Sequence, residues 1–186
     1  MERAHMKRSR TAFALIAGIA VLNLCCLGLA NSSDQQVPES LKVPADQTLF
    51  LKARGVGVQI YECMEDKTDS SKFKWTFKSP EASLFDNAGK QIGKHYAGPT
   101  WKADDGSTVV GSVGQVYDSP NTNSIPWLLL RAKSTSGPGI FSHVISVQRL
   151  NTMGGKAPSD VCEKEQVGKE IRVPYKAMYY FYTLRQ

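Results

Sequence analysis

The fold is indicated most clearly by residues 95–111, HYAGPTWKADDGSTVVG. Two turn signals, Gly98-Pro99 and Asp104-Asp105-Gly106, separate three short runs of extended residues. Asp-Gly between β-prone runs is typical of a hairpin, because glycine adopts the positive φ of the turn without steric cost. The stretch therefore predicts consecutive antiparallel strands, and it places one imidazole, one indole and two carboxylates at a corner of a sheet.

The same pattern continues along the rest of the chain. Short apolar or alternating runs follow one another from Thr48 to Leu184, with breaks predicted at Gly55, near Pro80 and at Pro174. One of the predicted strands, Ile140–Leu150, carries His143 and Arg149. No segment keeps a 3.6-residue apolar period, apart from a short turn near residues 160–166. About nine short strands with little helix predict an all-β fold, an antiparallel β-sandwich or barrel.

The glycines of the second predicted strand do not form a dinucleotide-binding loop. Gly55 and Gly57 begin such a motif, but Ile60 stands where its third glycine is required, and no helix is predicted to follow. A serine nucleophile at Ser112 is also disfavoured, because the nucleophile-elbow pattern needs glycine where Val110 stands. We predict no cofactor.

Residues 1–30 are typical of a signal peptide. A basic start that includes Lys7 and Arg8 precedes the apolar run 11–29, and Ala30 supplies the small residue before the cleavage point. An uncleaved anchor helix is the alternative, since about 20 apolar residues span a bilayer. We therefore predict a secreted or periplasmic protein with no stable membrane anchor after cleavage.

Cleavage after residue 30 leaves a moderately charged chain. It removes four of the 23 basic and one of the 17 acidic residues, so 19 and 16 remain and the net charge is +3. No block of like charge survives, which argues against nucleic-acid binding. The polar residues 31–42 predict a flexible linker, and residues 43–186 are long enough for a single β domain. Nothing in the sequence determines an oligomeric state.

Two cysteines, Cys63 and Cys162, remain after cleavage. In an oxidising compartment such a pair predicts a disulfide, and a loop of about 100 residues gives it up to about 4.7 kcal/mol in the chain-entropy treatment. A metal site is the alternative, but no CxxC or Cys-His spacing supports it. The Asp-Asp-Gly turn also lacks the spaced oxygens of a calcium loop, so we predict no metal.

Five segments of the chain occur together in a recognisable order. They are VQIYEC, HYAGPTW followed by DGS, IPWLLL, QRLNTMGG with a cysteine soon after, and VPYKAMYYFY. In this order they resemble a family of secreted bacterial and filamentous-fungal proteins catalogued as a domain of unknown function. The resemblance covers Leu41 to Tyr182 and implies an exported single domain whose shared polar residues include His95, Asp105 and Arg149.

Some fungal members of that family carry a malate dehydrogenase label. This sequence does not support the label, because it has neither a dinucleotide loop nor the alternation of strands and helices that such an enzyme needs.

The best functional hypothesis is the binding of a carbohydrate or another small polar ligand at the cell envelope or outside the cell. The aromatic side chains of residues 95–111 suit stacking on a sugar, and the polar ones suit hydrogen bonds to its hydroxyl groups. The predicted ligand-binding residues are His95, Tyr96, Trp101, Asp104, Asp105 and Arg149, with Trp75 as a further stacking candidate. Equally, the two tryptophans can be core residues and the two aspartates can shape a turn.

Two other functions stay open. One is a hydrolase that uses His95 and Asp105 as general acid and base, so whether the protein is an enzyme is undecided. The other is a structural protein of the envelope or extracellular matrix. The position of Trp101 distinguishes them, because an exposed indole beside His95 favours a site and a buried one favours architecture. Contact between His95 and Asp105 also requires a bend, since four or five extended residues span roughly 13–17 Å.

Overall fold

The computed structural model describes Met1 and residues 36–186, so the predicted signal peptide beyond Met1 and residues 31–35 of the predicted linker lie outside the described residues. Eight antiparallel strands pair in sequence order, and the last pairs with the first to close a barrel. The strands are β1 (Gln47–Asp66), β2 (Asp69–Phe85), β3 (Gln91–Tyr96), β4 (Thr100–Ala103), β5 (Thr108–Tyr117), β6 (Trp127–Ser136), β7 (Ser146–Gly154) and β8 (Glu170–Leu184). Two 3-10 turns, Glu39–Leu41 and Lys164–Gln166, accompany them. Within residues 36–186, no helix has the length and hydrophobicity needed to cross a membrane.

The predicted all-β antiparallel fold is confirmed, but there are eight strands rather than about nine, because adjacent predicted strands are continuous. β1 passes through Gly55, β2 through Pro80 and β8 through Pro174. Proline is tolerated in sheets where a ladder is interrupted. Pro80 lies beside the register shift at Ile60/Tyr61, and Pro174 lies one residue past the last pair between β7 and β8.

Inward-facing side chains fill one end of the barrel. In β8 the alternation buries Tyr179 and Phe181 completely, and the Phe181 ring packs against Phe141 with centroids 4.7 Å apart. Gly55 of β1 leaves room for the aromatic side chains, since a Cβ at that position would lie 2.5 Å from the Tyr179 ring. This aromatic packing makes the filled end solid.

The loop 137–145 covers the filled end. The prediction that a strand begins at Ile140 is wrong, because β7 begins only at Ser146. Phe141, in the loop before it, turns inward and is fully buried. The Asp105 carboxylate accepts hydrogen bonds from the Ile140 amide (2.8 Å) and from the Ser107 amide and hydroxyl (2.9 and 2.6 Å). The Phe141 amide in turn donates to the Ser107 hydroxyl (3.1 Å). We call this the closed end.

The N-terminal segment packs on the outer face of β6 and β7. Leu41 is fully buried in a cluster with Trp127 and Leu150, and the Gln148 side-chain amide donates a hydrogen bond to the Leu41 carbonyl. Burying a leucine side chain contributes about 1.5–3 kcal/mol. Leu41, within the predicted linker 31–42, is therefore packed against the barrel, and the predicted flexibility of the linker stays a prediction.

The predicted disulfide is confirmed. Cys63 of β1 and Cys162 of the loop between β7 and β8 are bonded, with Cα atoms 6.0 Å apart. Backbone hydrogen bonds support the same contact, because the Cys63 amide donates to Lys169 and the Cys63 carbonyl accepts from Gly168. The disulfide therefore links the C-terminal part of β1 to the segment that leads into β8.

Candidate functional site

The end of the barrel opposite the closed end holds a cavity of about 470 Å³. It lies between the loop 97–99, which joins β3 to β4, and residues of six strands: β1, β2, β3, β5, β6 and β7. Its rim residues Phe77 and Val113 are 51% and 49% exposed. Most of its wall is apolar, formed by Pro80, Pro99, Val113, Ile125, Pro126 and Leu128. We call it the mouth cavity; its volume is typical of small-molecule sites.

Two polar side chains of the mouth cavity come from β1. Gln59 and Tyr61 lie on the strand face that also carries Gly55 and Gly57, because alternate residues of a strand share a face. The Tyr61 hydroxyl donates a 2.6 Å hydrogen bond to the Gly155 carbonyl. That bond fixes the tyrosine, so Gln59 is the β1 side chain with unused hydrogen-bonding capacity.

Gln59 is 2% exposed, and its Nε2 has no hydrogen-bond partner among the described residues. Burial raises the pKa of the neighbouring Tyr175, and the approach of the Gln59 amide lowers it, although the contact falls short of regular hydrogen-bond geometry. Buried amides are nearly always paired. The amide is therefore a poorly paired buried donor beside the cavity, and its Nε2 would reach a ligand only after the side chain turns towards the cavity.

His95 lies in the wall of the mouth cavity but is only 2% exposed. Its ring stacks on Trp101, with centroids 4.6 Å apart and planes 12° apart. Burial lowers the pKa of His95 from 6.5 to about 3; a hydrogen bond to the Thr100 carbonyl opposes this, and the charge of Arg149 reinforces it. The ring is therefore neutral at physiological pH, with Nδ1 donating to that carbonyl (2.9 Å) and Nε2 carrying the free lone pair.

Arg149 is the cationic side chain of the cavity wall that has no anionic partner. It is half-buried on β7, and its Nε and Nη2 both donate to the Pro126 carbonyl (3.1 and 2.9 Å). It takes part in none of the ion pairs found within residues 36–186. Lys78, also in the wall, is neutralised by Glu62 and Glu170 at 2.8 and 2.7 Å.

The surroundings of Arg149 make it energetically unfavourable to leave the guanidinium charge without an anionic partner. Burial raises the pKa of Tyr61 and Tyr179, and the Arg149 charge works against that rise in both. The guanidinium thus lies close to several buried aromatic groups, where little water can screen it. A charge in such surroundings is stabilised by a hydrogen-bonded partner of opposite sign.

The structure brings two of the predicted ligand-binding residues, His95 and Arg149, to one cavity. Tyr96 is 39% exposed and Asp104 is exposed, and neither lies in the cavity wall. Trp101 is 1% exposed, so the prediction that its ring stacks on a ligand is wrong. Its indole instead packs edge-on against Tyr179 and Phe181, as part of the core. The further stacking candidate, Trp75, pairs with Cys63 on β1, also away from the cavity.

The predicted pairing of His95 with Asp105 is also wrong. His95 pairs with Trp101 and Gly93 with Ala103, without any register shift between β3 and β4, so the required bend does not form. Asp105 lies past the opposite end of β4 from the loop 97–99, at the closed end. Hydrogen bonds from the Ser107 side chain, the Ile140 amide and the Ser107 amide hold the pKa of Asp105 below its ordinary value.

The sequence analysis missed Gln59, Tyr61 and the apolar wall. A signal for Gln59 was present, because it follows Gly55 and Gly57 at intervals of two on a strand face that is otherwise buried. A polar side chain on such a face needs a partner. Its position at the mouth cavity depends on pairing with distant strands, which the local pattern does not contain.

No group of three or more His, Cys, Asp or Glu side chains is placed to hold a metal ion within residues 36–186. The polar side chains of the mouth cavity are one imidazole, one amide, one phenol, one guanidinium and the ammonium of Lys78. This set suits hydrogen bonding to an organic molecule.

Residues 36–186 form a closed β-barrel with one end filled and, at the other, a mostly apolar cavity that holds a few polar groups. Over residues 44–183 the chain matches the model of the family described as "Protein of unknown function (DUF3455)", and it belongs to that family. That description gives no activity and so does not bear out the malate dehydrogenase label. No curated protein and no solved structure matches the chain.

Proposed function

We propose that the protein binds a small polar ligand in the mouth cavity. The observation that carries the proposal is Arg149, a half-buried cation with no carboxylate partner in the described chain, set in a largely apolar wall. The unpaired amide of Gln59 in the same wall supports it. Small-molecule sites typically combine apolar walls with a few polar groups of this kind.

Binding fits the geometry better than hydrolysis. A general acid or base works best with a pKa near the operating pH, whereas burial lowers the pKa of His95 to about 3. No aspartate or glutamate lies in the wall of the mouth cavity. The polar groups of the cavity are therefore suited to orient a ligand.

We place this binding outside the cytoplasm, at the cell envelope or beyond it. The bond between Cys63 and Cys162 supports that location, because disulfides persist in oxidising compartments. Sugars belong in the test, but the ring of Trp101 offers them no stacking surface, so a carbohydrate would have to bind through hydrogen bonds alone.

The test compares two valines of β5, of which only one lines the mouth cavity. Val113 and Val116 are both about half exposed, at 49% and 57%, but Val113 lies in the wall of the mouth cavity and Val116 does not. Val113→Trp is expected to fill the cavity entrance, and Val116→Trp is the matched control. A panel of sugars, organic acids, amides and amines is screened against the protein by ligand-observed NMR.

Compounds that bind the wild type and Val116→Trp but not Val113→Trp support the proposal. A panel in which every bound compound also binds Val113→Trp equally well, or in which none binds the wild type, refutes it.

A further inference from the structure

We propose that the ligand of the mouth cavity carries one carboxylate, bound by Arg149, on a compact apolar body. This inference rests on the proposed function and names the chemical class of the ligand. It follows from the charges that face the cavity, from the donors that are unused there, and from the chemistry of the wall.

Among the side chains that line the cavity, Arg149 is the one cation without an ion-pair partner. His95 is neutral, because its buried ring has a pKa of about 3. Lys78 is held at the exposed rim by two carboxylates, Glu62 and Glu170, so its positive charge is already compensated. Arg149 alone is left, so a monoanion neutralises the site, and a dianion would bury an unpaired negative charge.

The unused donors suit a carboxylate. Arginine has five N–H donors in a planar fork, and two of those of Arg149 point to the Pro126 carbonyl. Of the other three, one is directed towards the Tyr179 hydroxyl, and the rest are available for charge-assisted hydrogen bonds, for which a carboxylate has matching geometry. The Gln59 Nε2 also lacks an acceptor, but it is buried behind the cavity surface, so the assignment rests on Arg149.

The rest of the wall suits an apolar body. Ile125, Pro126, Leu128 and Pro99 lie around the polar groups. The volume of about 470 Å³ is at the small end of the range for ligand cavities. A carboxylate on a ring or a short branched chain would therefore bury its apolar part while its charge reaches Arg149.

The experiment compares acids with their neutral amides, which have nearly the same shape. Phenylacetate is paired with phenylacetamide and naphthylacetate with naphthylacetamide, and phenylsuccinate represents a dianion. Affinities are measured by isothermal titration calorimetry at neutral pH and low salt. A hydrogen bond to a charged group is worth enough to make the acid of at least one pair bind about 10- to 100-fold tighter than its amide.

Two arginine variants identify the group responsible. Arg149→Gln is expected to bring the acid-to-amide ratio of affinities close to one, because the charge is removed while the apolar wall remains. Arg131→Gln, the same change at an exposed position of β6 outside the cavity, is expected to leave the ratio unchanged. Because the ratio is measured within each variant, a general loss of stability does not imitate the effect.

The outcomes separate this inference from the proposed function. Equal binding of acid and amide, with both lost in Val113→Trp, overturns the carboxylate assignment but leaves small-ligand binding in place. Tighter binding of phenylsuccinate than of the monoacids overturns the single-charge assignment. If none of these acids binds, the inference is wrong, and the wider panel decides the proposed function independently.

Discussion

Acidification from pH 7 to pH 5 is expected to destabilise the folded protein through His95. Burial lowers the pKa of this ring from 6.5 to about 3 in the folded state. Between those two values the unfolded chain binds a proton that the folded protein does not. The stabilisation from keeping the ring neutral is therefore complete above pH 6.5 and is lost progressively as the pH falls towards 3.

The expected loss follows from the size of the pKa difference. Each unit of pH below the unfolded pKa costs about 1.4 kcal/mol. The protein should therefore lose about 2 kcal/mol of unfolding free energy by pH 5 and about 4 kcal/mol by pH 3, where the folded ring is itself half protonated. Asp66, Asp69 and Asp105 have lowered pKa values too, but their contributions are lost only as the pH approaches and passes their ordinary value of 3.8. The interval from pH 7 to pH 5 thus isolates the histidine.

Urea unfolding at several pH values measures the effect. His95→Asn keeps an amide donor for the Thr100 carbonyl and removes the titrating ring, so its stability should not change over this interval. His143→Asn, at an exposed histidine, is the control and should lose as much stability as the wild type. A wild type equally stable at pH 7 and pH 5, or a His95→Asn variant with the same loss, would contradict the argument.

The remaining predictions concern the architecture. Replacing Cys63 and Cys162 together by alanine should lower the unfolding free energy by about 2–5 kcal/mol in urea titrations, and an unchanged midpoint would show that the cross-link contributes nothing. Asp105→Ala should lower the melting temperature, because three hydrogen bonds at the closed end are lost. It should leave ligand affinity unchanged in calorimetry, and a loss of affinity would show that Asp105 takes part in binding. Leu41→Ala should cost about 2–5 kcal/mol and increase proteolysis of the N-terminal segment, whereas equal proteolysis would mean that this packing does not hold it. Gly57→Ala should unfold at lower urea concentration than the wild type, since its Cβ would overlap the backbone of β2; a wild-type midpoint would mean that the strands separate freely.

Local sequence patterns correctly predicted an antiparallel all-β fold and the turns within residues 95–111. The Asp-Gly signal does mark a turn between two paired strands, β4 and β5, and Gly106 adopts a φ of 90° there. The turn signal at Gly98-Pro99 likewise lies between two consecutive antiparallel strands, because His95 and Trp101 pair across β3 and β4. Both features depend on neighbouring residues, and turn chemistry determines them.

The position of the cavity depends on contacts that local patterns do not encode. Arg149 faces the mouth cavity because β7 pairs with β8 in a register that sets it opposite Tyr179. Gln59 joins it because β8 also pairs with β1, which closes the barrel. The separation of Asp105 from His95 likewise depends on the straightness of β4 and on the loop that covers the closed end.

That covered end determines how molecules can be exchanged. The side chain of Phe141 and the aromatic residues behind it block the axis of the described barrel, so nothing in the mouth cavity can pass through to the far side. Under the proposed function, a ligand would enter and leave past the same rim, where Phe77 and Val113 lie. The described barrel is therefore open to exchange at one end and does not form a channel from one end to the other, so one ligand would have to leave before the next could bind.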